Sequence, residues 1–157
     1  MKIGYKLTDA DGYTRRGESG ETLWEIGKTV RATGNGNNPC TSGVLHYYLD
    51  PLLAILVNPA HANISDPRCF KVEVGYYSGT DGLKCWCKEL TPVREVELPV
   101  ITLTQRVAFG ILCALEVYKE KSFVKWAKKW LSDKNRSAYA AYAAADAAAH
   151  AAAHVAY

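Results

Sequence analysis

The spacing of apolar residues changes at Pro99, and this change limits the possible folds more than any other feature. Before Pro99, apolar residues alternate or form short runs between turn residues, as Phe70, Val72 and Val74 do, which is typical of β-strands. After Pro99, they recur every three or four residues, which is typical of amphipathic helices. The pattern predicts an α+β fold, with a small mixed or antiparallel sheet and one embedded helix, followed by two amphipathic helices and an alanine-rich C-terminal helix.

The same pattern divides the chain into three segments. We predict a sheet domain over residues 1–98, a helical layer packed on it over residues 99–136, and an alanine-rich helical tail over residues 137–157.

The 157 residues, 48% of them hydrophobic and 22% charged, suffice for a buried core. No apolar run approaches the roughly 20 residues of a membrane span. Because no signal peptide opens the chain either, we expect a cytoplasmic protein that does not enter a membrane.

Three helix starts carry capping residues. Asp50 followed by Pro51 predicts the start of the embedded helix, because Asp accepts from free backbone N–H groups and Pro has none to satisfy. Pro59 is expected to stop this helix. Residues 102–105 fit a capping box for the first C-terminal helix, and Ser122 is expected to cap the next.

A buried strand is predicted at residues 40–49, and further strands at residues 68–74, 83–86 and 93–98. The five cysteines lack a secretory context, which argues against a disulfide framework. We expect Cys85 and Cys87 on a strand with their thiols on opposite faces. Because no further cysteine pair or histidine stands at zinc-ligand spacing, we interpret the thiols as structural.

Basic residues are concentrated in segment 119–136, which holds seven basic and two acidic side chains, a local net charge of +5. The rest of the chain therefore carries −2 of the total of +3. The lysines flank an apolar stripe and form either a solvated face or the binding surface for an acidic protein partner. The candidate partner-binding residues are Lys121, Lys125, Lys128, Lys129, Tyr139 and Tyr142. No base-reading element accompanies them, which disfavours nucleic acid as the partner.

In the tail, thirteen of the twenty residues 138–157 are alanine. Its larger side chains recur three or four residues apart and are Tyr139, Tyr142, Asp146, His150, His154 and Tyr157. This spacing predicts a helix whose bare alanine face admits a close helical neighbour, which offers a route to a homo-oligomer or filament. Asp146, His150 and His154 could ligate one divalent metal, and the alternative is a polar surface stripe. These ionisable groups disfavour a membrane helix.

Catalytic motifs are missing from the sequence. It has no phosphate-binding loop, dinucleotide fingerprint, nucleophile elbow or zinc-protease motif. His46 is interpreted as a structural histidine, with proton transfer as the alternative. The sequence therefore leans against an enzyme, and we expect no cofactor.

A resemblance rests on Cys40-Thr41-Ser42-Gly43-Val44-Leu45-His46, which has the pattern Cys-x-x-Gly-x-x-His, and on the strand and helix patterns of the later segments up to the alanine-rich tail. In these features the chain resembles an uncharacterised family of small bacteriophage and prophage proteins. The resemblance implies a phage-encoded accessory protein in the cytoplasm of a bacterial host, and it brings no established activity. That the protein acts by binding a phage or host protein is predicted from the missing catalytic motifs, the basic helix and the alanine-rich tail. Inhibition of a host defence or regulatory factor is the expected role.

A more distant similarity concerns the predicted strand–helix–strand order of residues 44–74, which is similar to that of ADP-ribosyltransferase-like folds. It implies NAD as cofactor, and the residues available for catalytic roles are His46, Tyr47, Tyr48, Glu95 and Glu97. His46 departs from the pattern, because it stands beside the tyrosines and not on an earlier strand. Partner binding, self-assembly and ADP-ribosyl transfer are therefore the three functions to compare.

Overall fold

The computed structural model describes residues 2–134 and 136, and in this part of the chain seven strands and one helix precede two further helices. The strands are β1 (Lys2–Thr8), β2 (Tyr13–Thr14), β3 (Thr22–Leu23), β4 (Val30–Arg31), β5 (Leu45–Tyr47), β6 (Arg68–Thr80) and β7 (Cys85–Val96). The helices are α1 (Pro51–His61, between β5 and β6), α2 (Leu103–Val117) and α3 (Lys121–Leu131). This arrangement confirms the predicted α+β fold.

Two compact units divide the chain between Val100 and Ile101. The first contains all seven described strands and α1, and the second contains α2 and α3. Among the residues that the structure describes, no helix is long and apolar enough to cross a membrane.

The main sheet of the first unit is antiparallel and curls back on itself. Its strand order is β1-β6-β7-β4, and β5 pairs with β7 beside β4. Tyr48, directly after β5, pairs with Tyr5 of β1. The two backbones exchange two N–H···O bonds of 2.8 Å. The two ends of the sheet therefore meet, and its inner face encloses the core. The strands β2 and β3 form a separate two-stranded ladder.

The strand β7 is longer than expected. The prediction of separate strands at 83–86 and 93–98 was wrong, because one strand runs through the fully buried Pro92. Proline is tolerated here because the pairing with β6 shifts register opposite Lys71, so that the strand bulges at Val93.

The core of the first unit fills the inner face of the sheet. It contains Trp24, Tyr47, Phe70, Val72, Cys85, Cys87 and Leu90. The expectation that Cys85 and Cys87 face opposite sides was wrong, because residues two apart on a strand share a face and both thiols lie in this core. The predicted strand 40–49 is limited to Leu45–Tyr47, since the residues before it form turns.

The helix α1 begins where the sequence predicts. The Asp50 carboxylate accepts from the Leu52 backbone N–H at 2.7 Å, which confirms the cap. The prediction that Pro59 stops the helix was wrong, because α1 continues to His61. The Asn58 side chain holds this end by donating to and accepting from the Ile64 backbone at 2.9 and 3.1 Å.

The second unit is a pair of helices with its own core. The capping box of Thr102 and Gln105 at the start of α2 is confirmed. The buried residues between α2 and α3 are Ile111, Ala114, Phe123, Ala127 and Trp130, whereas the apolar Leu112 is exposed. Ser122 does not cap α3: the Glu120 carboxylate accepts from the Phe123 backbone N–H at 2.9 Å, and Ser122 donates its hydroxyl to the same carboxylate.

Candidate functional site

Lysine side chains line a shallow, open depression on the surface of the second unit. The depression has a volume of about 370 Å³, and its lining residues are Lys119, Lys121, Val124, Lys125 and Lys128. Lys121, Lys125 and Lys128 are four and three residues apart, which places them on one side of α3. We call this surface the lysine depression.

Packing of α3 explains why these lysines face outward. Phe123, Ala127 and Trp130 are buried against α2, so the opposite side of α3 is left to solvent. Within residues 2–134 and 136, none of the four lysines forms an ion pair with a carboxylate. The lining of the depression therefore consists of four cationic side chains and the apolar side chain of Val124.

The residues that line the lysine depression differ from the predicted partner-binding residues in two lysines, Lys119 and Lys129. Lys119, which the sequence analysis did not select, lines the depression from the connection between α2 and α3, where it donates to the Leu115 carbonyl. Lys129 is exposed but does not line the depression. Tyr139 and Tyr142 lie outside the described residues and stay predictions.

A second group of side chains lies at the end of the sheet and combines one thiol, one imidazole and one amine. We call it the thiol cluster: Cys40, His46 and Lys84. The Cys40 backbone N–H donates to His46 Nε2 at 3.1 Å, and Lys84 Nζ lies 3.4 Å from Cys40 Sγ. Desolvation, followed by the positive charges of Lys6 and Lys84, lowers the pKa of His46 to about 4. His46 is therefore neutral at pH 7, with Nε2 as the acceptor and the ring proton on Nδ1.

The loop that carries Cys40 is pinned at several points. A Cβ on Gly43 would lie 2.1 Å from the Gly36 carbonyl oxygen, so only glycine permits this approach. Lys88 Nζ donates to the carbonyls of both glycines at 2.6 Å. In the Cys-x-x-Gly-x-x-His segment, Gly43 thus allows the loop to close, and His46 anchors the Cys40 backbone.

The candidate catalytic residues do not gather into one site. His46 pairs with Trp86 on β7, and Glu95 follows nine residues later on the same strand, a separation of up to about 30 Å along the strand. Glu95 forms a surface ion pair with Arg68 at 2.7 Å, and this contact lowers the pKa of its carboxyl. Glu97 follows the end of β7 and is exposed. No histidine–glutamate pair is therefore available for transfer chemistry among these residues.

The two tyrosines beside His46 point in different directions. Tyr47 is fully buried on the inner face of the sheet, where burial raises the pKa of its hydroxyl. The Tyr48 hydroxyl lies 3.1 Å from His61 Nδ1, and the two rings stack with centroids 6.1 Å apart. Desolvation raises the pKa of Tyr48 to about 12, so both hydroxyls stay protonated at neutral pH.

The predicted metal ligands Asp146, His150 and His154 lie outside the described residues. In residues 2–134 and 136, no group of three or more His, Cys, Asp or Glu side chains is placed to hold a metal ion. Metal binding by the tail and self-assembly through its alanine face both stay predictions.

No protein-family model, curated protein or solved structure matches the chain. The resemblances to bacteriophage proteins and to ADP-ribosyltransferase-like folds therefore stay predictions.

Proposed function

We propose that the chain acts by binding another protein, and that the lysine depression on α3 contacts an acidic surface of this partner. The observation that carries the proposal is the composition of the depression, in which four of the five lining residues are lysines without an ion-pair partner in the described part of the chain. Partner carboxylates would relieve the mutual repulsion of these ammonium groups.

The shape of the lysine depression also favours contact with a protein surface over binding of a small molecule. The depression is shallow and open, and Val124 adds an apolar side chain to its lining. Each exposed ion pair contributes only about 0.2–1 kcal/mol, so useful affinity requires several carboxylates presented together. An acidic face of a folded partner or an acidic helix provides such an array.

The resemblance to small bacteriophage proteins supports a more specific proposal. In it the chain is a phage-encoded accessory protein of the bacterial cytoplasm, and its partner is a host defence or regulatory protein that it inhibits. Neither NAD nor another cofactor has a role in this proposal, since His46 on β5 and Glu95 on β7 lie far apart.

Titration of the full chain with fluorescent peptides tests the class of partner. We expect a poly-glutamate peptide to bind, with an affinity that falls as salt is raised, and a polyglutamine peptide of equal length not to bind. Equal binding of the two peptides would contradict the proposal. A random-sequence DNA duplex serves as the competitor, and stronger binding of the duplex than of the acidic peptide would make nucleic acid the partner instead.

A further inference from the structure

We propose that the chain self-associates through α2, whose outward face pairs with the same face of a second copy in an antiparallel, two-fold symmetric dimer. This surface is not part of the lysine depression, and the inference does not depend on the proposed function. It rests on the exposed apolar residues of this face, on the order of its residues, and on two charged side chains that lack an ion-pair partner in the described part of the chain.

The outward face of α2 is the side that points away from α3. Ile111 and Ala114 are buried in the core between the two helices. At about 100° per residue, positions 106, 109, 113 and 116 fall on the opposite side of α2. Three of these residues are exposed and Phe109 is half-buried, while the neighbouring Leu112 is 53% exposed. Apolar surface is therefore left in contact with solvent along this side of the helix.

The four residues at the centre of this face have the spacing of a helix-packing seam. They are three, four and three residues apart, as residues along the contact line of paired helices are, and they are Arg106, Phe109, Cys113 and Glu116. We consider two copies of α2 that run antiparallel and are centred on residue 111. Arg106 then lies level with Glu116 of the second copy, and Phe109 lies level with Cys113. Because the arrangement is two-fold symmetric, each of these contacts occurs twice.

The residues beside the symmetry axis allow close contact between the helices. Leu112 is one residue from the centre, so it packs against Leu112 of the second copy on one side of the seam. Gly110 is one residue from the centre on the other side of the seam. A Cβ at Gly110 would meet nothing within 4 Å in the chain itself, and glycine has no side chain that would hold the two helices apart.

The charges on this face lie at the ends of α2 that disfavour them. Arg106 is near the start of the helix and Glu116 is in its last turn, whereas the helix dipole favours acidic residues at the start and basic residues at the end. Neither side chain forms an ion pair within residues 2–134 and 136. The antiparallel pair brings each charge close to an opposite one, so it offsets a cost that the helix alone bears.

The length of α2 limits the strength of this dimer. Its 15 residues span about 22 Å, and one pair of such helices buries less than the roughly 1,200 Å² of a standard stable interface. We therefore expect a weak dimer, mostly monomeric near about 5 µM and mostly dimeric near about 500 µM. The lysine depression lies on the side of α3 that faces away from α2, so the dimer presents two such depressions.

Sedimentation equilibrium of the full chain tests the self-association. We expect the average mass to rise from the monomer value of 17.3 kDa at about 5 µM to nearly twice this value at about 500 µM. A mass that stays at the monomer value throughout this range would overturn the proposal.

Two charge reversals test the proposed pairing. Arg106→Glu creates two acidic contacts across the seam and Glu116→Arg creates two basic ones, so each variant alone should associate about tenfold more weakly than the wild type. When the two variants are mixed in equal amounts, every contact in their heterodimer joins opposite charges, and the affinity should return to within about threefold of the wild type. Arg94→Glu reverses an exposed cation on β7 and is the matched control, which should not change the association.

The outcomes separate this interface from other routes to self-association. Wild-type association in both single variants would overturn the α2 interface, and it would favour another contact such as the alanine face of residues 138–157. Weak association in both variants without recovery in the mixture would overturn the antiparallel pairing. Circular dichroism shows whether each variant keeps its fold. If one does not, Leu112→Glu carries the test, because it places two carboxylates together at the symmetry axis and should prevent dimerisation.

Discussion

The ring of Tyr47 lies directly over Gly4, and a Cβ atom on Gly4 would come within 2.2 Å of Tyr47 Cδ2. Gly4 belongs to β1 and Tyr47 to β5, so this contact lies where the two ends of the sheet meet. Tyr47 is fully buried in the core. The closure of the sheet therefore depends on the absence of a side chain at position 4.

Gly4→Ala should destabilise the sheet unit by about 1–3 kcal/mol, because the added methyl forces the buried Tyr47 ring or the β1 backbone to move. Urea unfolding followed by tryptophan fluorescence measures the change, since Trp24 lies in the same core. A free energy of unfolding equal to that of the wild type would show that the sheet does not close over Gly4.

Gly110→Ala, in contrast to Gly4→Ala, should stabilise the protein. Gly110 lies inside α2, where a Cβ would meet nothing within 4 Å. Alanine has the higher helix propensity, so this substitution should stabilise the helical unit by about 0.5–1 kcal/mol. Thermal unfolding followed by circular dichroism at a helix-sensitive wavelength measures it, and a lower midpoint would contradict the expected open space around position 110.

His46 should make stability depend on pH. Burial and nearby lysines lower its pKa to about 4 in the folded chain, while the unfolded value is near 6.5. Between these values the unfolded chain binds more protons, so stability is full above about pH 6.5, falls as the pH is lowered, and reaches its floor near pH 4. Because the ring is only half-buried, we expect a loss of about 1–2 kcal/mol.

His46→Gln removes this titration while leaving an oxygen that can accept from the Cys40 backbone N–H. The free energy of unfolding is measured in urea at pH 7 and pH 4.5 for both proteins. Carboxylates titrate in both, so the difference between the two pH dependences isolates His46. Identical pH dependence in wild type and variant would show that His46 is not held as a neutral acceptor.

Two of the three predicted helix caps were correct, and Ser122 was wrong because Glu120 caps α3 instead. The cap at Asp50 and the capping box at residues 102–105 depend on residues within one helical turn, and both predictions are confirmed.

The helix that continues past Pro59 is held by a contact between Asn58 and Ile64 only six residues apart. The strand that continues through Pro92, in contrast, depends on a distant partner strand. From the local sequence alone, a proline is expected to end a helix or strand. The bulge that accommodates Pro92, however, forms in the pairing with β6 and is not visible in the local sequence.

In the candidate functional sites, too, the sequence predicted what depends on local spacing and missed a contact between distant residues. Lys121, Lys125 and Lys128 follow from helical spacing alone, and the structure places all three in one depression. The contact between Cys40 and Lys84 joins residues 44 positions apart, through a loop and a hairpin whose meeting no local pattern predicts. The Cys-x-x-Gly-x-x-His pattern was the available signal, but it indicates the loop and not the lysine beside it.

Affinity for an acidic peptide, compared between two triple variants, is the most direct test of the proposed binding surface. The first variant combines Lys121→Gln, Lys125→Gln and Lys128→Gln in the lysine depression. The matched control removes three exposed cations elsewhere and combines Lys28→Gln, Arg94→Gln and Arg106→Gln. Both variants lose the same net charge, so general electrostatic attraction falls equally.

We expect the first variant to bind the fluorescent poly-glutamate peptide about tenfold more weakly than the wild type, because three surface ion pairs are lost. The control should stay within about twofold of the wild type, since only long-range attraction changes. If both variants lose affinity equally, or if neither does, the lysine depression is not the binding surface.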